Sequence, residues 1–251
     1  MMSNNRALAR FITSLGSFNE YGSTLLQTKE ALDLRSTKVL KQDGDDVAIF
    51  EDALKGIGKI KQLGFNTDGI IAVNKEFDSK SDEQPKWPGH LRNAYYNEDD
   101  RIGIVTDSKT HQAFVPKDQI TRTDLDEIVN QYDRSTKKER DAWVVFARLA
   151  KLQPFQDGNK RTALIAANAA YGSLESEDYL VVPFDDLDRA DFMLGLMRYY
   201  VAQDEESEEK AFDRMMSVLP STREREIELS KPIVAAPQNA QTIRLKPQFR
   251  K

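Results

Sequence analysis

Apolar residues recur along much of this chain at helical spacing. Across residues 49–65 they lie three to five positions apart, which is typical of an amphipathic helix. A second helix is predicted over NTDGIIAVNKEF, with Asn66 or Thr67 as its N-cap. The long run FMLGLMRYYVAQDEESEEKAFDRMMSVL predicts one helix that is divided into two pieces. The pattern therefore predicts a mainly helical protein.

One stretch departs from this periodicity. RIGIVTD and QAFVP flank the polar residues SKTH, so we expect a short β-hairpin over residues 101–116. The segment SKSDEQPKWPG, which precedes it, has the proline and charge content of a loop. We therefore expect an all-α architecture with one short β-hairpin.

The most apolar helices surround a polar loop. Residues 143–150 and 164–170 leave little polar face, and helices that are hydrophobic all round are buried. The loop QPFQDGNKR lies between them at residues 153–161. A loop that is carried by two buried helices is a rigid place for a functional site.

The residues of this loop suit a phosphate group. The first N–H groups of a helix lack partners within the helix, and the helix dipole favours an anion there. Gly158 allows close approach of the backbone, and Lys160 and Arg161 supply positive charge. Asp157 is the type of ligand that holds Mg²⁺ together with nucleotide phosphates. For Asp157 alone a simple helix cap is an equal alternative, but the run of five residues favours phosphate binding.

Composition limits the other possibilities. The chain has no cysteine, and its two histidines, His90 and His111, leave few candidates for a base at neutral pH. A net charge of −5 argues against broad DNA binding, so a nucleic-acid partner is not expected. No apolar run approaches the ~18 residues that span a membrane, and the N-terminus lacks a secretory pattern. We expect no membrane association and a cytoplasmic location.

The segment QPFQDGNKRTAL resembles the signature loop of the Fic/Doc (Fido) family, whose pattern runs H-x-F-x-D/E-G/A-N-G/K-R. The hairpin resembles the flap that aligns a target segment in this family by strand addition. The likeness extends over residues 66–219, which we interpret as the core domain, between an N-terminal helical region (1–65) and a basic C-terminal extension (220–251). The matching loop residues are Phe155, Asp157, Gly158, Asn159, Lys160 and Arg161.

This resemblance implies a helical Fic fold and transfer of a group from ATP with the help of Mg²⁺. Typical members are protein adenylyltransferases, which move AMP to a target hydroxyl in the reaction called AMPylation. Doc-like members, toxins of toxin–antitoxin pairs with a lysine at the place of Lys160, transfer the γ-phosphate instead. The resemblance also implies a protein target at the flap, and either an antitoxin partner or a self-inhibitory helix.

The same resemblance implies a role for each matching residue. Asp157 would hold Mg²⁺, and Phe155 would anchor the loop in the core. The phosphate-binding residues would be Gly158, Asn159, Lys160 and Arg161, and the target-binding flap residues would be Ile102, Ile104 and Phe114.

Two positions depart from the Fic pattern. Leu164 stands where Fic sequences carry a second arginine, as in Doc-like sequences, which weakens the case for adenylylation. Gln153 stands where the family has the histidine that takes the proton from the attacking hydroxyl. An amide has no basic lone pair at neutral pH, and loss of a general base costs ~10²–10⁴-fold in rate.

Three interpretations of Gln153 are open. The protein is a pseudoenzyme that binds nucleotide or a partner; or it uses a base from elsewhere, with His90 and His111 as candidates; or glutamine is an engineered replacement. A function of another class is a non-catalytic interaction module, in which the flap and the basic tail bind a protein partner.

The sequence also contains two imperfect matches to the inhibitory pattern S/T-x-x-x-E-G/N of the family. GSTLLQTKEALDL is placed like the inhibitory helix, but Gln27 stands four positions after Ser23. Thr222 and Glu226 have the correct spacing without the Gly or Asn that should follow. Both matches are more often ordinary helix surface.

Overall fold

The structure is a computed structural model, and it describes residues 5–79, 81, 84–107 and 112–234. These residues form eleven α-helices and one two-stranded antiparallel sheet, so the predicted all-α fold with a short hairpin is confirmed. In chain order the elements are α1 (Arg6–Gly16), α2 (Leu25–Leu34), α3 (Asp46–Leu63), α4 (Thr67–Lys75), β1 (Ile104–Asp107), β2 (Gln112–Phe114), α5 (Arg122–Arg134), α6 (Glu139–Leu152), α7 (Asn159–Tyr171), α8 (Ser173–Ser176), α9 (Asp186–Val201), α10 (Glu205–Met216) and α11 (Thr222–Ser230).

The predicted cap of α4 is observed. The Asn66 side chain accepts a hydrogen bond from the backbone N–H of Gly69 at 2.8 Å. A β-carbon on Gly69 would lie 2.2 Å from the carbonyl oxygen of Gly64, where α3 ends. Glycine at position 69 thus lets α4 start directly against the end of α3.

The centre of the molecule is the pair α6 and α7. Trp143, Phe146 and Leu149 on α6 and residues 163–167 on α7 are almost completely buried, as their apolar sequences predict. Helices α1, α3 and α4 pack around α7, while α5 and α9 pack on α6. The loop that joins α6 to α7 therefore rests on the most rigid part of the fold.

The long C-terminal helical run divides into α9 and α10, as expected. Asp204 lies at the break, where its side chain accepts a hydrogen bond from the Ser207 N–H at 2.8 Å and caps α10. Beyond α10, the buried Arg225 of α11 pairs with Asp178 and with Glu139 at the start of α6. These ion pairs tie the last helix to the centre of the fold.

The hairpin is shorter than the sequence predicted. Ile104 pairs with Phe114 and Val105 with Ala113, whereas residues 102 and 103 precede the strand. The Phe114 ring stacks on Tyr200 of α9, with ring centroids 5.4 Å apart, so the hairpin rests on this helix. The predicted turn and His111 lie outside the described residues. Within the described ranges, no helix has both the length and the apolar character needed to cross a membrane.

Candidate functional site

The α6–α7 loop reverses the chain with a left-handed residue at each end. Gln153 follows α6 with φ 50° and ψ 61°, and its N–H donates to the carbonyl of Leu149 at 3.2 Å. Gly158 precedes α7 with φ 73°. The buried ring of Phe155 fills the interior between these two residues, as the resemblance implied.

Asn159 holds the loop in this shape. Its amide nitrogen donates to the Gln153 side-chain oxygen at 3.0 Å and to the Phe155 carbonyl at 2.8 Å. Its amide oxygen accepts from the Phe155 N–H at 2.9 Å. The sequence predicted Asn159 as a phosphate contact, but its buried side chain is already engaged within the loop. Its backbone N–H lies in the first turn of α7, where a helix offers no internal acceptor.

The Gln153 side chain is buried and is held through both the nitrogen and the oxygen of its amide. Its amide nitrogen donates to the Ala150 carbonyl at 2.6 Å, while its oxygen accepts from Asn159. An amide in this arrangement has no basic group to offer to an attacking hydroxyl. Gln153 therefore works here as a helix-ending residue that braces the loop.

The carboxyl end of the loop rests closely on α4. A β-carbon on Gly158 would lie 2.6 Å from the Phe77 ring and 3.1 Å from the Asn74 amide nitrogen. Asn74 is completely buried, and it donates to the Asp157 carbonyl at 2.9 Å and accepts from the Gly89 N–H at 2.9 Å. Sequence reasoning missed Asn74 and Phe77, because only the fold brings α4 under the loop.

The two basic residues of the loop differ in exposure. Arg161 is buried, with its guanidinium carbon 4.9 Å from the centroid of the Phe77 ring and one nitrogen donating to the Gln84 side-chain oxygen at 3.2 Å. Lys160 and Asp157 are half-buried. Helix α7 starts without a side-chain cap, so its positive dipole end and Lys160 together favour an anion.

These groups open into one cavity of ≈ 280 Å³. The loop supplies Asp157, Lys160 and Arg161, and the flap supplies Ile102 and Ile104. The predicted flap residue Phe114 contributes no lining and packs on Tyr200 instead. The full lining consists of Phe18, Asn19, Ile102, Gly103, Ile104, Gln153, Gln156, Asp157, Gly158, Asn159, Lys160 and Arg161.

The N-terminal region supplies one wall of this cavity, which the sequence did not predict. Phe18 and Asn19 lie in the turn after α1, and the Phe18 ring stacks on Phe146 of α6 at 5.9 Å. Neither α2 nor α11, the two segments with imperfect inhibitory patterns, contributes to the described lining. Ser23, the first residue of the pattern that runs into α2, instead accepts a hydrogen bond from the Lys41 N–H at 2.8 Å.

Arg92 connects the loop to both ends of the flap. Its buried guanidinium donates to three backbone carbonyls, those of Gln153 at 2.6 Å, Asp100 at 2.8 Å and Lys117 at 3.2 Å. Asp100 precedes the flap in sequence and Lys117 follows it. The sequence did not predict this role of Arg92.

Asp100 is a second connection between loop and flap. Its buried carboxylate accepts hydrogen bonds from the Asn93 N–H, the Gln156 amide and the His90 ring at 2.6, 2.7 and 2.9 Å. Burial alone would raise the pKa of Asp100, but the bonds from Asn93, Gln156 and His90 outweigh it and hold this pKa below its ordinary value. His90, an alternative base in the sequence analysis, contacts Asp100 and the Trp87 ring and is not part of the described lining.

Tyr200 lies beneath the flap and beside Gln153. Burial raises the pKa of its phenol, and the neighbouring Gln153 side chain lowers it by a smaller amount. Its ring is almost completely buried, and within the described residues its hydroxyl forms no hydrogen bond of ordinary geometry. Tyr200 therefore stays protonated at neutral pH.

The described residues contain no group of three or more side chains arranged to hold a metal ion. Asp157 is the carboxylate that lines the cavity. A cation there would take Asp157 as one ligand and need its remaining ligands from phosphate oxygens or water, which is common for Mg²⁺.

Comparisons with known proteins agree with this architecture. Residues 65–171 match the Fic/DOC family. A Fic-domain-containing signalling protein from Bacteroides thetaiotaomicron superposes with a TM-score of 0.64 at 16% identity, over 90% of this chain and 87% of that one. Fic-1 from C. elegans superposes with a TM-score of 0.56 at 14% identity, over 91% of this chain and 62% of that one. No curated protein matches the sequence.

Proposed function

The chain belongs to the Fic/DOC family through its residues 65–171, and on that premise we propose that its loop binds the phosphates of ATP while Gln153 impairs transfer to a protein hydroxyl. One observation carries the proposal: the uncapped start of α7, Lys160 and Asp157 face one cavity, and the residue at the base position is an engaged amide. Fic-family proteins typically transfer AMP or other groups to proteins.

The size of the cavity supports a phosphate site. Pockets for whole small molecules usually measure ~300–1,000 Å³, so ≈ 280 Å³ suits the phosphate chain better than an entire nucleotide. The adenosine part would extend outside this space. Gly158 lets the loop lie directly against Phe77 and Asn74, and this packing places the start of α7 beside the cavity.

Magnesium fits the same group of residues. Asp157 offers a hard oxygen ligand beside the anion site, and Mg²⁺ prefers to share its ligands with nucleotide phosphates. When bound, Mg²⁺ would neutralise part of the phosphate charge. Lys160 and the N-terminus of α7 would offset the phosphate charge that remains.

Group transfer would be impaired because Gln153 cannot accept the proton of the attacking hydroxyl. An attacking hydroxyl must lose its proton, and the two hydrogen-bonding groups of the Gln153 amide are occupied by Ala150 and Asn159. Tyr200 is protonated at neutral pH and thus cannot replace a base. Positioning and charge stabilisation would persist, because phosphoryl transfer depends heavily on them. We therefore expect slow transfer and retained binding.

The flap would present the target. Ile102 and Ile104 line the cavity, and a two-stranded sheet has free edges that can accept an added strand. A target segment that pairs with the flap would bring its hydroxyl towards the phosphates. The stacking of Phe114 on Tyr200 would fix the position of the hairpin relative to Gln153.

The first experiment is calorimetric titration of the protein with ATP and Mg²⁺. We expect saturable binding that weakens at least ~10-fold in Asp157→Asn and in Lys160→Met, since each loses a charge-assisted contact. Both side chains are half-buried, so these variants should fold. Lys86→Met is the control, because Lys86 is exposed and pairs with Asp99 outside the cavity.

The second experiment tests transfer with α- or γ-labelled ATP and a cell lysate. We expect Gln153→His to label protein ~10²–10⁴-fold faster than the unsubstituted chain, because a general base typically contributes a factor of this size. The label that is transferred distinguishes AMP from phosphate. Equal labelling by both forms would contradict the assigned role of position 153. If neither form binds ATP, the interaction module becomes the better interpretation.

A further inference from the structure

Helix α9 is apolar on two opposite faces. The inner face packs into the core through Phe192, Leu196 and Tyr200, which are almost completely buried. The outer face carries Leu187 and Leu194, which are 80% and 45% exposed, and Val201, which is 37% exposed. An ordinary surface helix is polar on its outer face, and an apolar stripe there marks an interaction site.

The spacing of this stripe is that of a helix–helix contact. Leu187, Leu194 and Val201 lie seven residues apart, and Ala190 and Met197 lie three residues after the first two. These are the a and d positions of a heptad pattern. At 1.5 Å per residue the stripe is ~21 Å long. We call these five residues the α9 seam.

We propose that the α9 seam binds the α9 seam of a second copy of this chain, with the two helices antiparallel. The proposal does not depend on nucleotide binding. In the antiparallel arrangement Leu194 of each copy faces Met197 of the other, and Ala190 faces Val201. Each copy therefore covers the apolar stripe of the other, as in an interface with two-fold symmetry.

The charges beside the seam determine the partner and the direction. Arg198 is exposed, and no ion pair of its side chain occurs within the described ranges. Asp191 precedes it by seven residues and therefore occupies the same heptad position, e, on the same side of the seam. Its half-buried carboxylate pairs with Arg214 of α10 and keeps an exposed side that a second guanidinium can reach. Antiparallel helices bring e against e, so each Arg198 would approach Asp191 of the other copy. The surface is thus complementary to itself.

A parallel pair would be unfavourable. Parallel helices bring position g of one copy against position e of the other. Here that contact places Asp186, which pairs with Arg189, beside Asp191, which pairs with Arg214, and it leaves Arg198 beside Met193 with no carboxylate opposite it. The helix dipoles also oppose parallel alignment and favour the antiparallel one.

The size of the seam sets the expected strength. Stable interfaces bury about 1,200–2,000 Å² in total, and a seam of two heptads lies at the low end of this range. We therefore expect a dimer that dissociates in the micromolar range. Sedimentation equilibrium of the full chain from ~1 to ~200 μM should show a monomer–dimer transition.

The matched variants are Leu194→Glu and Leu34→Glu. Both place a carboxylate on an exposed leucine, but Leu34 lies on α2, away from the seam, and is 64% exposed. We expect Leu194→Glu to weaken dimerisation at least ~10-fold and Leu34→Glu to leave it unchanged. A chain that is monomeric at every concentration, or a dimer that is insensitive to Leu194→Glu, would overturn the proposal.

Disulfide trapping tests the direction of the two helices, because the chain has no cysteine of its own. A mixture of Ala190→Cys and Val201→Cys chains should form a mixed disulfide dimer under mild oxidation, whereas Leu187→Cys alone should not cross-link with itself. A parallel dimer would give the opposite result, since 190 and 201 would then lie ~16 Å apart along the axis. Leu34→Cys reports the background from random collision.

Discussion

Gly158 shows how much of this site depends on a single residue. Its φ of 73° is a left-handed conformation that residues with a β-carbon disfavour by ~1–2 kcal/mol. A β-carbon would also meet the Phe77 ring at 2.6 Å, closer than packed atoms allow. Both effects act against any other residue at the start of α7.

We expect Gly158→Ala to lower the free energy of unfolding by about 2–5 kcal/mol, the sum of backbone strain and overpacking. Chemical denaturation measures this change. Gly58→Ala is the control, because Gly58 lies within α3, where a β-carbon would meet nothing within 4 Å, and this variant should gain up to ~1 kcal/mol. An unchanged free energy of unfolding for Gly158→Ala would contradict this expectation and show that Phe77 and Asn74 shift to accommodate the β-carbon.

Asp100 gives the protein a dependence on acid pH. The pKa of Asp100 is held below its ordinary value in the folded protein. Its stabilising effect is therefore complete above the unfolded pKa and is lost as the pH falls through the folded one. We expect the free energy of unfolding to fall on acidification below about pH 4. Asp100→Asn should flatten this slope, whereas Asp43→Asn, at an exposed position, should leave it unchanged.

Several site residues could not be predicted from the sequence, and the reason is physical. Asn74, Arg92 and Asp100 act through hydrogen bonds to backbone groups or side chains that are distant in sequence, such as the 61 positions between Arg92 and Gln153. Periodicity reports which face of a helix is buried, but it carries no information about such bonds. The role of the Asn159 side chain was missed because the motif identifies the residue and not its rotamer.

At the scale of elements, Arg92 makes the flap and the loop one unit. A buried guanidinium that binds three carbonyls fixes the distance between Gln153 and both ends of the hairpin. Burial lowers the pKa of Arg92, and the charges of Asp100 and Asp118 oppose this effect. The two ends of the flap are thus positioned by Arg92.

Arg92→Met should leave those three carbonyls without their donor. We expect a loss of about 3 kcal/mol or more in the free energy of unfolding, and faster amide hydrogen exchange in both β1 and β2. Arg122→Met is the control, because the Arg122–Asp68 pair is exposed and worth at most ~1 kcal/mol. Unchanged exchange in the strands would mean that Tyr200 alone positions the flap.

The elements themselves were largely predictable. The helices around the loop and the α4 cap follow from apolar spacing and from Asn66, and the division of the last run follows from the polar residues around Asp204. The hairpin was overestimated because RIG has strand-like residues but no partner strand opposite it. Pairing depends on the second strand, which a local pattern does not contain.

Across the whole molecule, Arg225 joins the last helix to the centre. Its guanidinium donates to Glu139 at 2.6 Å and to both oxygens of Asp178 at 3.0 and 3.1 Å. Burial would lower the pKa of Arg225, but the bonds to Asp178 and Glu139 outweigh this and raise it. The N-terminal helix is joined to the same region, because Arg10 donates to the Lys231 carbonyl at 3.0 Å.

We expect Arg225→Met to lower the free energy of unfolding by about 3 kcal/mol, since a buried pair loses one partner while its carboxylates stay partly solvated. Thermal or urea unfolding measures the loss. Arg140→Met is the control, because Arg140 also contacts two carboxylates but is 43% exposed, and its loss should cost about 1 kcal/mol or less. Similar losses for both variants would mean that burial adds nothing to the Arg225 pairs.

The backbone at position 153 is held independently of its side chain, and this bears on how easily the residue can be exchanged by mutation. Its N–H and carbonyl are fixed by Leu149 and Arg92, so the frame is held by main-chain bonds that persist when the side chain changes. The codons of glutamine and histidine differ only in the third base. A single base change therefore interconverts glutamine and histidine at this position, and the main-chain frame can carry either side chain.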